Sequence, residues 1–241
     1  MAPIVKRATA ALCLSILCAS AALADDPRPQ SFDHSVSRGQ PILMDVTDDI
    51  KADVHVVAWN RPAVQITVHP YGHYADSVRL AGVVESGTVA MHVLCSPSPH
   101  QGFFGWLKFF RPDARIDVHV PDDAKLSVHV INGPVIVDNV TGELQVTVVN
   151  GPITVTGAGS VLYLTTTNGP VEADVVRITA QPDITISTTN GPIDVYVPKG
   201  FKASVHATTV FGPVENNLGD SSGPGSVSLE TVNGPVSISP H

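Results

Sequence analysis

The sequence has few cysteines, few cations and few aromatic side chains. It holds 3 cysteines among 241 residues, and 14 lysine and arginine residues against 22 acidic ones. Cys13 and Cys18 lie in the apolar N-terminal segment, so the rest of the chain has no partner with which Cys95 could form an internal disulfide. Cys95 follows Val93 and Leu94, which predicts a buried strand residue. The net charge of -8 disfavours binding to nucleic acid or to anionic lipid.

Motifs for common catalytic chemistry are also missing. The sequence has no phosphate-binding loop, dinucleotide fingerprint, G-x-S-x-G elbow or C-x-x-C pair. We therefore expect a protein that is not an enzyme and that carries no cofactor.

Residues 1–24 are predicted to be a secretory signal peptide. Lys6 and Arg7 precede an apolar run, and Ala22-Leu23-Ala24 supplies the small-x-small cleavage pattern. The run is too short to span a membrane, and no second one follows, so no transmembrane segment is expected. Leu17 stands before Cys18 where a lipoprotein signal needs a small residue. We expect an exported protein of the periplasm or of the cell surface.

A short motif, Asn-Gly-Pro, recurs through the second half of the chain. It occupies 132–134, 150–152, 168–170, 190–192 and 233–235, and Phe-Gly-Pro stands at 211–213 in the one gap. The positions four residues before the Asn are apolar in every repeat: Val128, Val146, Leu164, Ile186, Ala207 and Leu229. The positions five residues before it are mostly polar: Ser127, Gln145, Tyr163, Thr185, His206 and Ser228. This alternation predicts short strands with one buried face.

The proline decides how these strands are connected. In a two-residue hairpin the residue after Asn-Gly donates its N–H across the turn, and proline has no N–H to donate. The motif therefore indicates a corner between two strands of one coil, and like residues should stack from coil to coil. The expected fold is all-β: a parallel β-solenoid of about six such coils over 126–241, capped by a β-rich unit over 25–125. The five asparagines should form one column beside Phe211.

An aromatic segment interrupts the N-terminal unit. Between Pro99 and Pro112 lie five aromatic residues, which are candidate binding residues: Phe103, Phe104, Trp106, Phe109 and Phe110. The segment either folds back as a plug on the apolar end of the coils or projects as a wedge towards a partner. The plug is favoured because exposed apolar patches of this size are uncommon on soluble monomers.

Three acidic residues form the strongest metal candidate, and it is a weak one. Glu172, Asp194 and Glu215 occupy one outward position of three repeats, which we expect to lie on consecutive coils. Stacked carboxylates can hold calcium, and two spaced acids can serve a glycosidase. No basic residue accompanies them in the pattern, so a solvated face is favoured.

His69, His73 and Asp76 share one loop, but their spacing matches no structural zinc motif.

Hydroxyl side chains form a further surface candidate. Thr165-Thr166-Thr167, Ser187-Thr188-Thr189 and Thr208-Thr209 give a hydroxyl-rich face. Flat ranks of threonine can bind ice or glycans, although threonine is also simply a good strand former.

Several of these segments together resemble a known family. The opening V-T-D-D-I-K-A-D-V-H-V-V-A-W-N, the V-H-V-P before the repeats and the recurring N-G-P-I/V are similar to the bacterial toast-rack, adhesin-like (head-GIN-type) β-solenoid family. The resemblance covers about residues 32–240. It implies an extracytoplasmic protein linked to surface adhesion or envelope stress, without catalytic residues. Phe211 and the aromatic segment depart from the pattern.

Two classes of function remain open. The first is a non-enzymatic envelope module that binds a protein or glycan partner, or associates with itself. The second is a small carbohydrate-active or calcium-binding β-helix, for which a cleft over Glu172 and Glu215 would be the distinguishing feature.

Overall fold

The computed structural model describes residues 28–47, 50–72, 74–96, 112–219 and 222–241. These residues are nearly all β-strand, with one 3-10 turn at Ala75–Ser77. The N-terminal strands are β1 (Gln30–Ser35), β2 (Pro41–Val46), β3 (Lys51–Trp59), β4 (Ala63–Tyr71), β5 (Val78–Glu85), β6 (Thr88–Cys95) and β7 (Asp113–Pro121). Within this described part, no helix is long and apolar enough to cross a membrane. The all-β prediction is confirmed.

The repeat region contributes twelve strands. They are β8 (Lys125–Asn132), β9 (Val135–Asp138), β10 (Leu144–Asn150), β11 (Ile153–Gly159), β12 (Val161–Asn168), β13 (Val171–Arg177), β14 (Asp183–Asn190), β15 (Ile193–Val197), β16 (Ala203–Phe211), β17 (Val214–Asn216), β18 (Gly225–Asn233) and β19 (Val236–Pro240). Each Asn-Gly-Pro joins two consecutive strands that belong to different sheets, so it forms a corner and not a hairpin.

Two sheets, mostly of parallel strands, enclose the core. The first, sheet A, has ten strands in the order β1-β4-β7-β3-β9-β11-β13-β15-β19-β17. The second, sheet B, has nine in the order β16-β18-β14-β12-β10-β8-β2-β6-β5. Side chains that alternate along each strand turn their apolar members inward, where Leu144, Leu162, Leu164, Ile184 and Ile186 are fully buried.

The parallel register aligns like positions of the repeat. Asn132, Asn150, Asn168 and Asn190 are successive partners, Asn190 pairs with Asn233, and Asn233 pairs with Phe211. The prediction of one asparagine column beside Phe211 is therefore confirmed.

The last strands of the chain are not the last strands of the sheets. In sheet B, β18 lies between β14 and β16, and in sheet A, β19 lies between β15 and β17. The pair β16–β17 is therefore outermost, although β18–β19 follows it in sequence. As a result, Val205 and Ala207 are only partly buried and Val214 is 44% exposed, where the repeat pattern predicts buried apolar residues.

The N-terminal strands continue both sheets. Ile42 pairs with Leu126 and Val54 pairs with Val135, so β2 and β3 extend the same apolar columns. Beyond them, β6 and β7 follow in parallel, and the antiparallel strands β4 and β5 come next. The side chain of Gln30, on β1, accepts a hydrogen bond from Leu80 N–H and donates one to Val78 O, both at 2.8 Å, and so joins sheet A to sheet B at this end.

Candidate binding surface

The outer side of sheet B carries a flat group of hydroxyl side chains across three neighbouring strands. Thr147, Thr165 and Ser187 are direct partners in the parallel register of β10, β12 and β14. Thr167 and Thr189 lie two residues further along β12 and β14, on the same outward side, and both are exposed. We call these five residues the hydroxyl face. Neighbouring strands lie about 4.8 Å apart, so its members form a regular grid of donors and acceptors.

Alternation decides which hydroxyls belong to this surface. Thr166 and Thr188 are buried, at 2% and 3% exposure, and donate to Gly151 O at 3.1 Å and to Gly169 O at 3.2 Å. Thr231 repeats this contact with Gly191 O. The sequence prediction placed Thr166, Thr188 and Thr209 on one hydroxyl-rich face, and this was wrong because their side chains turn towards the corners. These threonines are structural.

The hydroxyl face carries no charge, and the charged groups around it are largely partnered. Tyr163 donates to Asp183 Oδ2 at 2.6 Å beside the face. This bond, followed by burial and the negative charge of Asp183, raises the pKa of Tyr163 above its usual 10.0. On the N-terminal side, His129 Nδ1 lies 2.8 Å from Asp45 Oδ1. On the other side, Glu230 pairs in register with Ser187 and separates the face from Thr208.

An asparagine ladder runs along the corner next to this face. Asn150 donates to Asn132 Oδ1 at 3.1 Å, Asn168 to Asn150 at 2.9 Å, and Asn190 to Asn168 at 2.8 Å. Asn233 then donates to Asn190 at 2.8 Å, across 43 residues of sequence. The ladder fixes the register at this edge and so keeps the hydroxyl face regular.

The carboxylate column is not continuous. Glu172 pairs with Asp194, but Asp194 pairs next with Ser237, and only then does Ser237 pair with Glu215. The expectation of three acids on consecutive coils is wrong, because β19 lies between β15 and β17. Among the residues the structure describes, no cluster of three or more His, Cys, Asp or Glu side chains could hold a metal ion.

The remaining candidates belong to the N-terminal half of the sequence. His69 Nε2 is 3.7 Å from Asp117 Oδ2, while its predicted companion His73 lies outside the described residues. The aromatic segment with Phe103, Phe104, Trp106, Phe109 and Phe110 also lies outside them. Its role as plug or wedge therefore stays a prediction.

Sequence reasoning missed a cleft of about 420 Å³ at the turn that ends β3. Trp59 and Arg61 line it, and the Arg61 guanidinium lies 5.0 Å from the centre of the Trp59 ring. At one side of the cleft, the exposed Arg38 forms an ion pair with Asp123 at 3.1 Å. The segment Trp59 to Pro62 indicates a plain turn in the sequence, and only the close approach of residues 36–40 and 121–124 makes it a cleft.

Comparison with known proteins shows the fold and little more. No family model and no curated protein matches the chain. A solved structure of a "putative cell adhesion protein" from Clostridium sporogenes is similar with a TM-score of 0.53 and 12% identity, covering 89% of this chain and 100% of that chain. At this identity the likeness shows a shared all-β fold, and the closer kinship with the toast-rack family stays a prediction.

Two further solved structures match at lower scores. A "putative adhesin" from Bacteroides fragilis is 15% identical, with a TM-score of 0.34 over 88% of this chain and 97% of that chain. A "putative lipid binding protein" from Parabacteroides distasonis is 12% identical, with a TM-score of 0.32 over 88% and 96%. With TM-scores this low, neither contributes to the conclusions below.

Proposed function

We propose that this protein is a non-enzymatic, adhesin-like β-solenoid module of the bacterial cell envelope, exported by its N-terminal segment, and that its hydroxyl face binds a neutral glycan. The observation that carries the proposal is the flat, uncharged grid of Thr147, Thr165, Thr167, Ser187 and Thr189 on three neighbouring parallel strands. The fold shared with a solved structure described as a cell adhesion protein supports the same class of function.

The chemistry of the grid favours a sugar over an ion or a peptide. Each hydroxyl both donates and accepts a hydrogen bond, as the hydroxyls of a neutral sugar do. A hydrogen bond that replaces one to water contributes only about 0.5–1.5 kcal/mol to the free energy of binding, so useful affinity needs many contacts at once. A polymer lying along the strands can make them, whereas a monosaccharide cannot. We therefore expect binding that strengthens with the length of the glycan.

The surface also suits binding better than cleavage. Glycoside hydrolysis needs two carboxyl groups that flank the scissile bond, about 5–10 Å apart. The hydroxyl face contains no carboxylate of its own. Of the carboxylates beside it, Asp183 accepts a hydrogen bond from Tyr163, and Glu230 accepts one from Ser228. Glycan binding without turnover is the role that this arrangement supports.

A co-sedimentation experiment with insoluble neutral polysaccharides tests the proposal. The double variant Thr165→Lys/Thr189→Lys places two strongly hydrated charges on the face, and we expect it to stay folded and to lose binding. Thr154→Lys/Thr156→Lys is the matched control, because it puts the same charges on the outer side of sheet A, where Thr154 pairs with Glu172 and Thr156 with Asp138.

The outcomes separate the candidate functions. If the Thr165→Lys/Thr189→Lys variant still binds, the glycan site is not the hydroxyl face. Soluble sugar released from the polysaccharide would favour the carbohydrate-active alternative. Failure of every neutral glycan to bind, with capture of anionic glycans instead, would contradict the assignment of the ligand class.

A further inference from the structure

The strand β16 is the outer edge of sheet B at the C-terminal end of the molecule. It pairs with β18 from Ala203 to Phe211, and no other described strand lies along its second edge. The position is unusual because the chain continues through β18 and β19, which lie inside it. A nine-residue strand therefore remains open on one side.

The backbone groups that face the open side can be identified from one contact of the neighbouring strand. Ser226 N–H donates to Pro182 O at 2.8 Å, so the backbone polar groups of Ser226 face β14 and those of Val227 face β16. In the parallel pair, Val227 bonds to the residues on either side of its partner Val205, which are Ser204 and His206. The backbone N–H and C=O groups on the open side therefore belong to Ala203, Val205, Ala207 and Thr209.

Within its own described residues, this edge strand has none of the side chains that usually protect against pairing. Native edge strands carry lysine, proline, inward-pointing charges or bulges that prevent another strand from docking. The segment 203–211 contains no Lys, Arg, Asp, Glu or Pro, and its register with β18 shows no shift. At the opposite end of the molecule the sheets are joined by Gln30, and Phe32 covers Gly82.

The end also exposes apolar side chains. Phe211 is 68% exposed and Val210 is 66% exposed, the two highest values among the large apolar residues that the structure describes. Val205 and Ala207 are partly exposed, whereas their register partners Val227 and Leu229 are buried. The apolar column of the core is therefore incomplete at β16.

We propose that the open edge of β16 pairs, antiparallel, with the open edge of β16 in a second copy of this chain. The charge distribution selects the partner: two chains of net charge -8 repel each other, and they can approach with least repulsion where both are uncharged. Residues 203–214 form such an uncharged segment when His206 is neutral.

The strand is also complementary to itself. In an antiparallel pair centred on Ala207, Phe211 of each copy lies opposite Ala203 of the other, and Val205 lies opposite Thr209. Large residues thus meet small or medium ones, and inward-facing residues stay on the inward side in both copies. Because each copy has one such edge, a two-fold axis closes the assembly at two chains.

Analytical ultracentrifugation of the purified protein over a range of concentrations tests the proposal. We expect a monomer–dimer equilibrium without larger species. In the dimer, hydrogen exchange should slow at the amides of Val205, Ala207 and Thr209, which face solvent in the monomer. A monomer at every concentration, or a series that keeps growing, would overturn the proposal.

Three variants locate the interface. Ala207→Pro removes an N–H from the open side while it leaves the ladder with β18 intact, so it should abolish the dimer. Phe211→Asn restores the repeat motif and removes an exposed ring, and it should weaken the dimer by roughly 10- to 100-fold. Val84→Lys, at an exposed site on β5 at the far end of sheet B, should leave the dimer unchanged.

The same variants can contradict the inference. A dimer that survives both Ala207→Pro and Phe211→Asn, or that is lost with Val84→Lys, places the contact elsewhere. If circular dichroism shows that Ala207→Pro does not fold, Phe211→Asn decides, since it matches the sequence of the other repeats. The hydroxyl face is not part of this edge, so glycan binding and dimer formation can fail independently.

Discussion

At the scale of single residues, each member of Asn-Gly-Pro has a separate physical task. The asparagines form the ladder along the corner, and the prolines exclude a hairpin. The glycines allow the corners to stack closely: a Cβ on Gly169 would overlap the carbonyl oxygen of Gly151, and one on Gly191 would overlap that of Gly169. A residue with a side chain is therefore excluded at these positions because its Cβ would overlap the backbone of the neighbouring corner.

We predict that Asn168→Ala destabilises the protein through the ladder. The change removes the bond that Asn168 donates to Asn150 and the bond that it accepts from Asn190. The free energy of unfolding should fall by about 1–2 kcal/mol, since each net hydrogen bond contributes about 1 kcal/mol. Urea denaturation measures the effect, and Thr167→Ala, one residue away and outside the ladder, is the control. An equal loss in both variants would show that the ladder contributes nothing.

We predict a pH-dependent effect of Tyr163→Phe. The raised pKa of Tyr163 means that the folded state favours the protonated phenol, so the resulting stability is complete below the unfolded pKa of about 10. It is lost as the pH rises through the folded pKa. The variant should therefore be less stable than the parent near pH 7, by about 1 kcal/mol for the hydrogen bond. The difference should shrink above about pH 10 in denaturation curves. A difference that grows with pH would contradict the assignment.

At the scale of the strand, alternation separates a buried side from an exposed one. Leu164 on β12 is fully buried between Val146 and Ile186, while Thr165, the next residue, is exposed between Thr147 and Ser187. Two adjacent residues therefore lie in opposite environments because successive side chains point to opposite sides of a sheet.

The pair Leu164→Asp and Thr165→Asp tests this assignment. Leu164→Asp buries an unpaired carboxylate, which should cost more than about 3 kcal/mol and unfold most of the protein. Thr165→Asp places the same group in water and should change the free energy of unfolding by less than about 0.5 kcal/mol. Thermal melts of both variants give the comparison, and similar melting temperatures would refute it.

The carboxylates on sheet A give a prediction for calcium. Glu172 and Asp194 are neighbours, but Ser237 separates Asp194 from Glu215, so the acids do not form a ladder. We therefore expect millimolar calcium to leave the melting temperature essentially unchanged, because only a ligand of the folded state raises it. A rise that disappears in Glu172→Gln/Asp194→Asn would establish a calcium site and revive the calcium-binding alternative.

At the scale of the whole molecule, the order of strands in space departs from the order in the chain. Asn233 can continue the asparagine ladder from Asn190, whereas Phe211 has no amide with which to do so. The arrangement with β18 next to β14 therefore makes a hydrogen bond that sequential stacking would lose. Phe211 then takes the end position, where no further asparagine is needed.

This order predicts an unusual response to truncation. A chain that ends at residue 224 lacks β18 and β19, which are the partners of β16 and β17. We expect its melting temperature to lie close to that of a chain ending at residue 198, which lacks all four strands. Hydrogen exchange gives the control: protected amides over 203–211 in the longer truncation would mean that β16 can pair directly with β14.

The sequence by itself determined the local level of this structure. The alternation of apolar and polar residues assigns the inside and the outside of each strand, and the proline indicates corners where Asn-Gly alone would suggest hairpins. Both follow from short-range rules, because side-chain direction and proline geometry act over a few residues. The column of asparagines could be predicted for the same reason.

Only the tertiary structure decided the order of the repeats and the consequences of that order. Periodicity gives the position of a residue within its repeat, but any repeat can stack on any other at similar cost when their apolar columns match. The choice depends on contacts between distant residues, such as the 2.8 Å bond from Asn233 to Asn190. The resulting order places Ser237 between Asp194 and Glu215, and it leaves β16, with Phe211, at the open end of the molecule.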